Sequence, residues 1–128
     1  GQLQRLVSVM ADDNRDAAES LAALLRVDGH EVVIGHDGNQ ALQLAEQFRP
    51  QVMLLDVSMP RMNGHEATRR LRATEWGKAI YIVALSGFGQ ERDRARSLQA
   101  GCNAHLIKPL SLADLEDALA GAVSAGPH

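Results

Sequence analysis

The chain has 128 residues, 45% hydrophobic and 23% charged, which is enough apolar material for one core and too little length for two domains. A net charge of -3 and an isoelectric point near 5.9 speak against a general polyanion binder. The single cysteine, Cys102, excludes an intrachain disulfide, and no apolar run approaches the roughly 18 residues of a membrane span.

These totals predict a soluble cytoplasmic domain with no nucleic-acid or membrane partner. It is expected to be one unit over 1–128, with 1–3 and about 122–128 as terminal extensions or linker. Gly1 as a first residue fits a trimmed chain, so an attached kinase or effector domain outside it is expected to be possible.

Leu6 to Ala11, LVSVMA, is an apolar-rich strand candidate that runs into Asp12-Asp13-Asn14. Asp13 or Asn14 can cap the helix that follows, in which Ala17, Ala18, Leu21, Leu24 and Leu25 recur at helical spacing. Gly29 ends that helix, and Glu31 to Gly35 makes a second strand. Asp37, three residues before Gln40, has the pattern of a capping box and opens a helix whose one face carries Ala41, Leu44, Ala45 and Phe48. Pro50 closes it.

In the stretch QVMLLDVSMP, 51–60, a continuous apolar run ends at Asp56. So short a run fits a strand covered on both faces in a parallel sheet, and in such sheets the chemistry gathers at the carboxyl ends of the strands. Beyond the loop bracketed by Pro60 and Gly64, Ala67, Leu71 and Thr74 mark a weaker helix. Ala79 to Leu85 is the fourth strand and delivers Ser86-Gly87.

The polar stretch 90–100 permits a partly exposed helix with Ala95 and Leu98 toward the core, stopped by Gly101. Ala104 to Ile107 is the fifth strand and ends at Lys108-Pro109. Ser111 caps a last helix with Leu112, Leu115, Leu119 and Val123 on its inner side, and the chain reads as a tail after about Gly121. Strands alternating with helices predict an α/β fold with a doubly wound parallel sheet.

If the strands are parallel, Asp12, Asp13, Asp56, Ser86 and Lys108 share one rim of the sheet. Carboxylates crowded there repel one another unless a cation neutralises them, and a hard divalent ion such as Mg²⁺ suits oxygen ligands while keeping waters for a phosphate to replace. Lys108 adds a mobile positive charge, Ser86 a hydroxyl donor, and the carboxylate of Asp56 is a candidate nucleophile, since aspartyl phosphate is a known type of covalent intermediate. Neither GxGxxG nor GxxxxGK[ST] occurs, so dinucleotide or P-loop nucleotide binding has nothing to rest on. Singly, each residue has a plainer reading: Asp12 and Asp13 as helix caps, Ser86 as a turn residue, Lys108 as a solvated lysine. It is their order at successive strand ends that points to phosphoryl chemistry.

With VMADDN (9–14), LLDVSMPRMNG (54–64), ALSG (84–87) and HLIKP (105–109), the whole chain closely resembles the receiver domain of two-component response regulators. Phrases such as DDNRDAAESLAALL and ALSGFGQERDRARSLQAG resemble most the receivers of hybrid sensor histidine kinases. The resemblance implies a flavodoxin-like (βα)5 fold with strand order 2-1-3-4-5. It implies that Asp56 takes a phosphoryl group from a phosphohistidine, on a sensor histidine kinase or a histidine phosphotransfer protein, and that its surface then changes.

By position, the resemblance makes Asp13 a direct Mg²⁺ ligand, with Mn²⁺ able to substitute. Asp12 would support the metal partly through water, and Asp56 and the backbone carbonyl of Ser58 would complete the protein ligands. Ser86 becomes the switch hydroxyl and Lys108 the phosphoryl's partner, and the Lys108-Pro109 bond is implied to be cis. Such a domain catalyses its own phosphorylation and slow dephosphorylation without turning over an external substrate, and the family allows a weak homodimer.

His105 stands where the family usually has Tyr or Phe, and two readings stay open: a polar rotamer switch, or a half-exposed strand histidine. Phe88 is placed either to shield the acyl phosphate or to dock on a helix. The output face is expected over helix 90–100, strand 104–107 and the last helix. Two other functions remain: a non-phosphorylated pseudo-receiver, and an aspartyl-nucleophile phosphohydrolase. The hydrolase is disfavoured by Val57-Ser58 where a second acid would be needed.

Overall fold

The structure, a computed structural model, describes residues 6–87 and 93–124. Its elements are β1 (Val7–Ala11), α1 (Arg15–Val27), β2 (Glu31–Gly35), α2 (Gly38–Phe48), β3 (Val52–Asp56), α3 (Gly64–Arg72), a 3₁₀ turn (Trp76–Ala79), β4 (Tyr81–Ser86), α4 (Asp93–Ala100), β5 (Ala104–Ile107) and α5 (Leu112–Ser124). The five strands are parallel and ordered β2-β1-β3-β4-β5. This is the doubly wound sheet that the alternation of elements predicts.

Each strand sends successive side chains to opposite faces, so the two layers of helices require two cores. Met10, Leu54, Val83 and Leu85 pack with Leu21 and Leu25 of α1 and Leu115 of α5. Val9, Met53, Leu55 and Ile82 pack with Ala41 and Ala45 of α2 and Ala67 and Leu71 of α3. β3 is buried along its whole length, which is what its unbroken apolar run demands. Ser8 is the exception inside the sheet, since its hydroxyl is buried with no hydrogen-bond partner among the described residues.

The caps are local and follow the sequence. Asn14 accepts from the Ala17 N–H, and Ser111 and Asp114 exchange bonds through N–H and side chain at 3.1 Å each way. Asp37 accepts from the Gln40 N–H at 2.8 Å, but Gln40 returns its side-chain oxygen to the His36 N–H instead of that of Asp37. The reciprocal bond is therefore displaced by one residue from the expected box. Gly29 and Gly101 end their helices with φ of 88° and 111°, and the Lys108-Pro109 bond is cis.

Several expected inner faces are rotated. Leu24, Phe48, Leu112 and Val123 are exposed, and the buried positions beside them are held by the small residues Ala22, Gly38, Ala118 and Ala122. A helix lying flat on a sheet needs small side chains along its line of closest approach, which lets larger ones fall outside. In α4 the expected inward residues Ala95 and Leu98 are exposed, Leu98 by 55%, while Ser97 and Ala100 are buried. Thr74 lies beyond α3, where its hydroxyl donates to the Leu71 carbonyl. The fourth strand starts at Tyr81 because the 3₁₀ turn takes the chain through Ala79, and α5 continues past Gly121 to Ser124. Phe88 and 90–92 lie outside the described residues. Among the described residues no helix is long and apolar enough to cross a membrane.

Candidate functional site

β1 and β3 are neighbours in the sheet, so their carboxyl ends bring Asp12-Asp13 and Asp56 together from 44 residues apart in sequence. Asp12, Asp13 and Asp56 each place a carboxylate oxygen within 4.8 Å of the others. Asp12 and Asp56 are buried, at 0% and 3% exposure, and Asp13 faces solvent. Lys108, arriving at the end of β5, lays its ammonium against Asp12 Oδ2 and within 3.3 Å of Asp56 Oδ2.

The carboxylates are aimed by their own backbones. Asp12 Oδ1 accepts from the Asn14 N–H and Asp56 Oδ1 from the Ser58 N–H, both at 2.9 Å, which leaves each Oδ2 turned toward Lys108. His36 Nδ1 bonds the Asp12 carbonyl at 3.1 Å, tying the end of β1 to that of β2. Gly64, the first residue of α3, sits where a Cβ would come within 2.7 Å of the Asp56 carbonyl oxygen. No side chain but glycine's allows α3 to start this close to β3.

The electrostatics are those of a site short of positive charge. Burial pushes the Asp56 carboxyl up from 3.8 to about 6; the Ser58 N–H and Lys108 oppose that rise, and the Asp12 charge adds to it. Burial disfavours the Lys108 ammonium, yet its hydrogen bond to Asp12 and the charges of both acids outweigh this and raise its pKa. Among the described residues the Lys108 ammonium pairs with two of the three carboxylates, those of Asp12 and Asp56. The donors are all hard oxygens and two of them are buried, a set that fits a hard divalent cation such as Mg²⁺ and offers nothing to a soft one.

Of the residues singled out from sequence, Asp12, Asp13, Asp56 and Lys108 converge, and Ser58 adjoins them through its N–H. Ser86 is at the same sheet edge, but its hydroxyl bonds His105 Nε2 at 2.8 Å, and its carbonyl accepts from the Lys108 N–H. His105 is buried, not half-exposed, with its second ring nitrogen 2.7 Å from the Ser97 hydroxyl. A buried ring in β5 keeps both nitrogens partnered because water cannot reach them. Ser97, His65 and Gly64 were not legible as site residues: Ser97 and His65 sit in polar stretches that read as solvent-facing, and Gly64 reads as a loop residue.

A family model for the response regulator receiver domain matches residues 9–120. The chain belongs to the response regulator receiver domains. As a receiver it is a phosphotransfer and conformational switch of two-component signalling, and its aspartate cluster is the family's site. The receiver is 37% identical over 107 residues to the response regulator MprA of Mycobacterium ulcerans, covering 84% of this chain and 45% of that protein. It therefore spans about half the length of the curated relatives it matches.

Among solved structures, the receiver domain of the sensor histidine kinase PA1611 of Pseudomonas aeruginosa PAO1, with a magnesium ion coordinated in its active-site cleft, is 34% identical. It superimposes with a TM-score of 0.86, covering 94% of this chain and 99% of that one. A response regulator from Chloroflexus aurantiacus gives a TM-score of 0.89 at 26% identity, with 94% and 99% coverage.

Proposed function

We propose that Asp56 is the phosphoacceptor, taking its phosphoryl group from a phosphohistidine of a sensor histidine kinase or a histidine phosphotransfer protein. The observation that carries this reading is the Asp56 carboxylate, buried at a strand end, with Asp12, Asp13 and Lys108 all converging on it. Asp12, Asp13, Asp56 and the Ser58 carbonyl would hold Mg²⁺, or Mn²⁺ in its place. The PA1611 receiver, 34% identical, holds magnesium in its cleft, and the hard oxygen donors here suit the same ion. Such an ion, when bound, neutralises charge on the transferring phosphoryl oxygens.

The chain's own residues do the rest. Ser58 fixes Oδ1 of Asp56 through its N–H and leaves Oδ2 as the attacking oxygen. The new Asp56 O–P bond forms as the donor's N–P bond breaks, with the electron pair leaving on the imidazole. Lys108, already shared between Asp12 and Asp56, is placed to pair with the incoming phosphoryl oxygens. Ser86 donates its hydroxyl proton to another. Water later removes the group, so the domain acts on itself and not on an external substrate. An attached kinase or output domain is compatible with this reading, since the match covers 45% of MprA.

Incubation with Mg²⁺ and acetyl phosphate, read by intact mass, tests the assignment. Wild type should gain one phosphoryl group, while Asp56→Asn and metal-depleted wild type should gain none. An unlabelled wild type would restore the reading of a pseudo-receiver that serves only as an interaction module, and repeated turnover of a phosphomonoester that of a hydrolase.

A further inference from the structure

A line of hydrogen bonds leaves the site and crosses to the helices. The Ser86 hydroxyl lies 2.8 Å from His105 Nε2, His105 Nδ1 lies 2.7 Å from the Ser97 hydroxyl of α4, and that hydroxyl lies 2.8 Å from Nε2 of His65 in the first turn of α3. Ser86, His105 and Ser97 are buried, and His65 is partly so.

A neutral imidazole donates from one ring nitrogen and accepts at the other, and a hydroxyl has one proton to give. The line therefore has two self-consistent polarities. In the first, Ser86 donates to His105 Nε2, His105 donates from Nδ1 to Ser97, and Ser97 donates to His65 Nε2. In the second, His65 donates from Nε2 to Ser97, Ser97 donates to His105 Nδ1, and His105 donates from Nε2 to Ser86. Each ring and each hydroxyl carries one proton in both, so reversal adds and removes none. It exchanges the tautomers of two histidines.

The fate of the Ser86 proton separates the two. Among the described residues the Ser86 hydroxyl has His105 as its one hydrogen-bonding neighbour, so the second polarity would leave a donor without an acceptor in a fully buried place. The first polarity is the resting one. A phosphoryl group on Asp56 changes the balance: β3 pairs with β4 at this edge, Asp56 opposite Leu85, so an anionic acceptor arrives beside Ser86. A charge-assisted bond to it is stronger than a neutral bond to the ring.

We propose that phosphorylation of Asp56 reverses the Ser86–His105–Ser97–His65 line, writing the state of the site into the tautomers of two histidines and delivering it to the junction of α3 and α4. This rests on the assignment of Asp56 as phosphoacceptor and Ser86 as donor made above. His105, Ser97 and His65 act through Ser86 and are positioning residues.

Long-range proton–nitrogen spectra of the histidine rings report each tautomer directly, recorded on the whole labelled chain with Mg²⁺ and then with beryllofluoride added. His30 is the internal standard, because its Nδ1 accepts from the Leu6 N–H at 3.1 Å and holds the ring in the Nε2–H form throughout. His105 should pass from Nδ1–H to Nε2–H on uptake, with His65 responding, and in Ser97→Ala the response of His65 should vanish. Uptake, seen as amide shifts flanking Asp56, with His105 unchanged would overturn the reversal and leave the phosphoacceptor reading standing. A His65 response that survives Ser97→Ala would overturn the route through α4. Absence of any uptake would overturn the phosphoacceptor reading and this proposal together.

Discussion

Lys108 closes an ion pair with Asp12 across 96 residues of sequence, and the same ammonium reaches Asp56 at 3.3 Å. Without a divalent ion it is the cation that makes two buried carboxylates tolerable at one strand edge. Lys108→Ala removes that charge and leaves both acids unanswered. Breaking a buried pair costs about 3–5 kcal/mol, and because Lys108 keeps a quarter of its surface in water the expected loss is nearer 2–3. Urea unfolding at neutral pH in chelator should show the loss, and Mg²⁺ should restore most of it. Equal stability of variant and wild type in chelator would contradict the shared-cation account.

Asp56 holds its proton more tightly folded than unfolded, with a folded value of about 6 against 3.8. Its contribution to stability is therefore fully present below 3.8 and lost as pH rises through about 6. Asp56→Asn, which cannot ionise, should then be more stable than wild type at neutral pH in chelator, by about 1–3 kcal/mol. The two curves should converge in acid. Denaturant midpoints measured at several pH values check this, and a variant less stable than wild type at pH 8 would refute it. Protons and metal compete for the same oxygens, so Mg²⁺ affinity should fall as pH drops through about 6.

Gly64 ties α3 to the end of β3, since an added Cβ would meet the Asp56 carbonyl oxygen at 2.7 Å and its carbon at 3.1 Å. Gly64→Ala must push the end of β3 away and is expected to cost about 1–3 kcal/mol. It should also slow phosphorylation by acetyl phosphate. Gly29→Ala is the contrast: its φ of 88° makes alanine strained, but nothing lies within 4 Å. That variant should lose stability and keep the wild-type phosphorylation rate.

Arg72 joins the end of α3 to the loops before β4 and β5. Its guanidinium donates to the carbonyls of Gly77, Ile80 and Gly101 and to Asn103 Oδ1, at 2.7–2.9 Å. Arg72→Ala takes a donor from all four acceptors, of which Asn103 Oδ1 keeps the Ile82 N–H and the Gly77 carbonyl keeps the Ile80 N–H, and should cost about 2 kcal/mol. Arg72→Lys should recover less than half, because one ammonium cannot span a fork of this width. Thermal unfolding of the two variants measures both effects.

The sequence was a good guide where interactions are local. The caps Asn14, Asp37 and Ser111, the stops at Gly29 and Gly101, and the five strand runs all depend on neighbours a few residues away. It was a poor guide to which residues of a helix face inward. Leu98 and Phe48 are apolar at helical spacing and still lie outside, because Ser97 and Ala45 fit the close approach better. Ser97 faces the interior with its hydroxyl bonded to His105 of β5, a partner only eight residues on that helical spacing does not reveal.

The residues of the site were legible one by one, since a continuous apolar run ending in an acid is a strand end wherever it occurs. Asp12, Asp13, Asp56 and Lys108 could be named, and a charge-poor cation site inferred from them, by the chemistry of carboxylates alone. Only the tertiary structure decided that Lys108 spans two of the acids, that Ser86 is held by His105, and that the bonding continues through Ser97 to His65. Hydrogen bonds and ion pairs act over a few ångströms of space, and the order of strands in the sheet, not the order of residues in the chain, sets which groups lie that close.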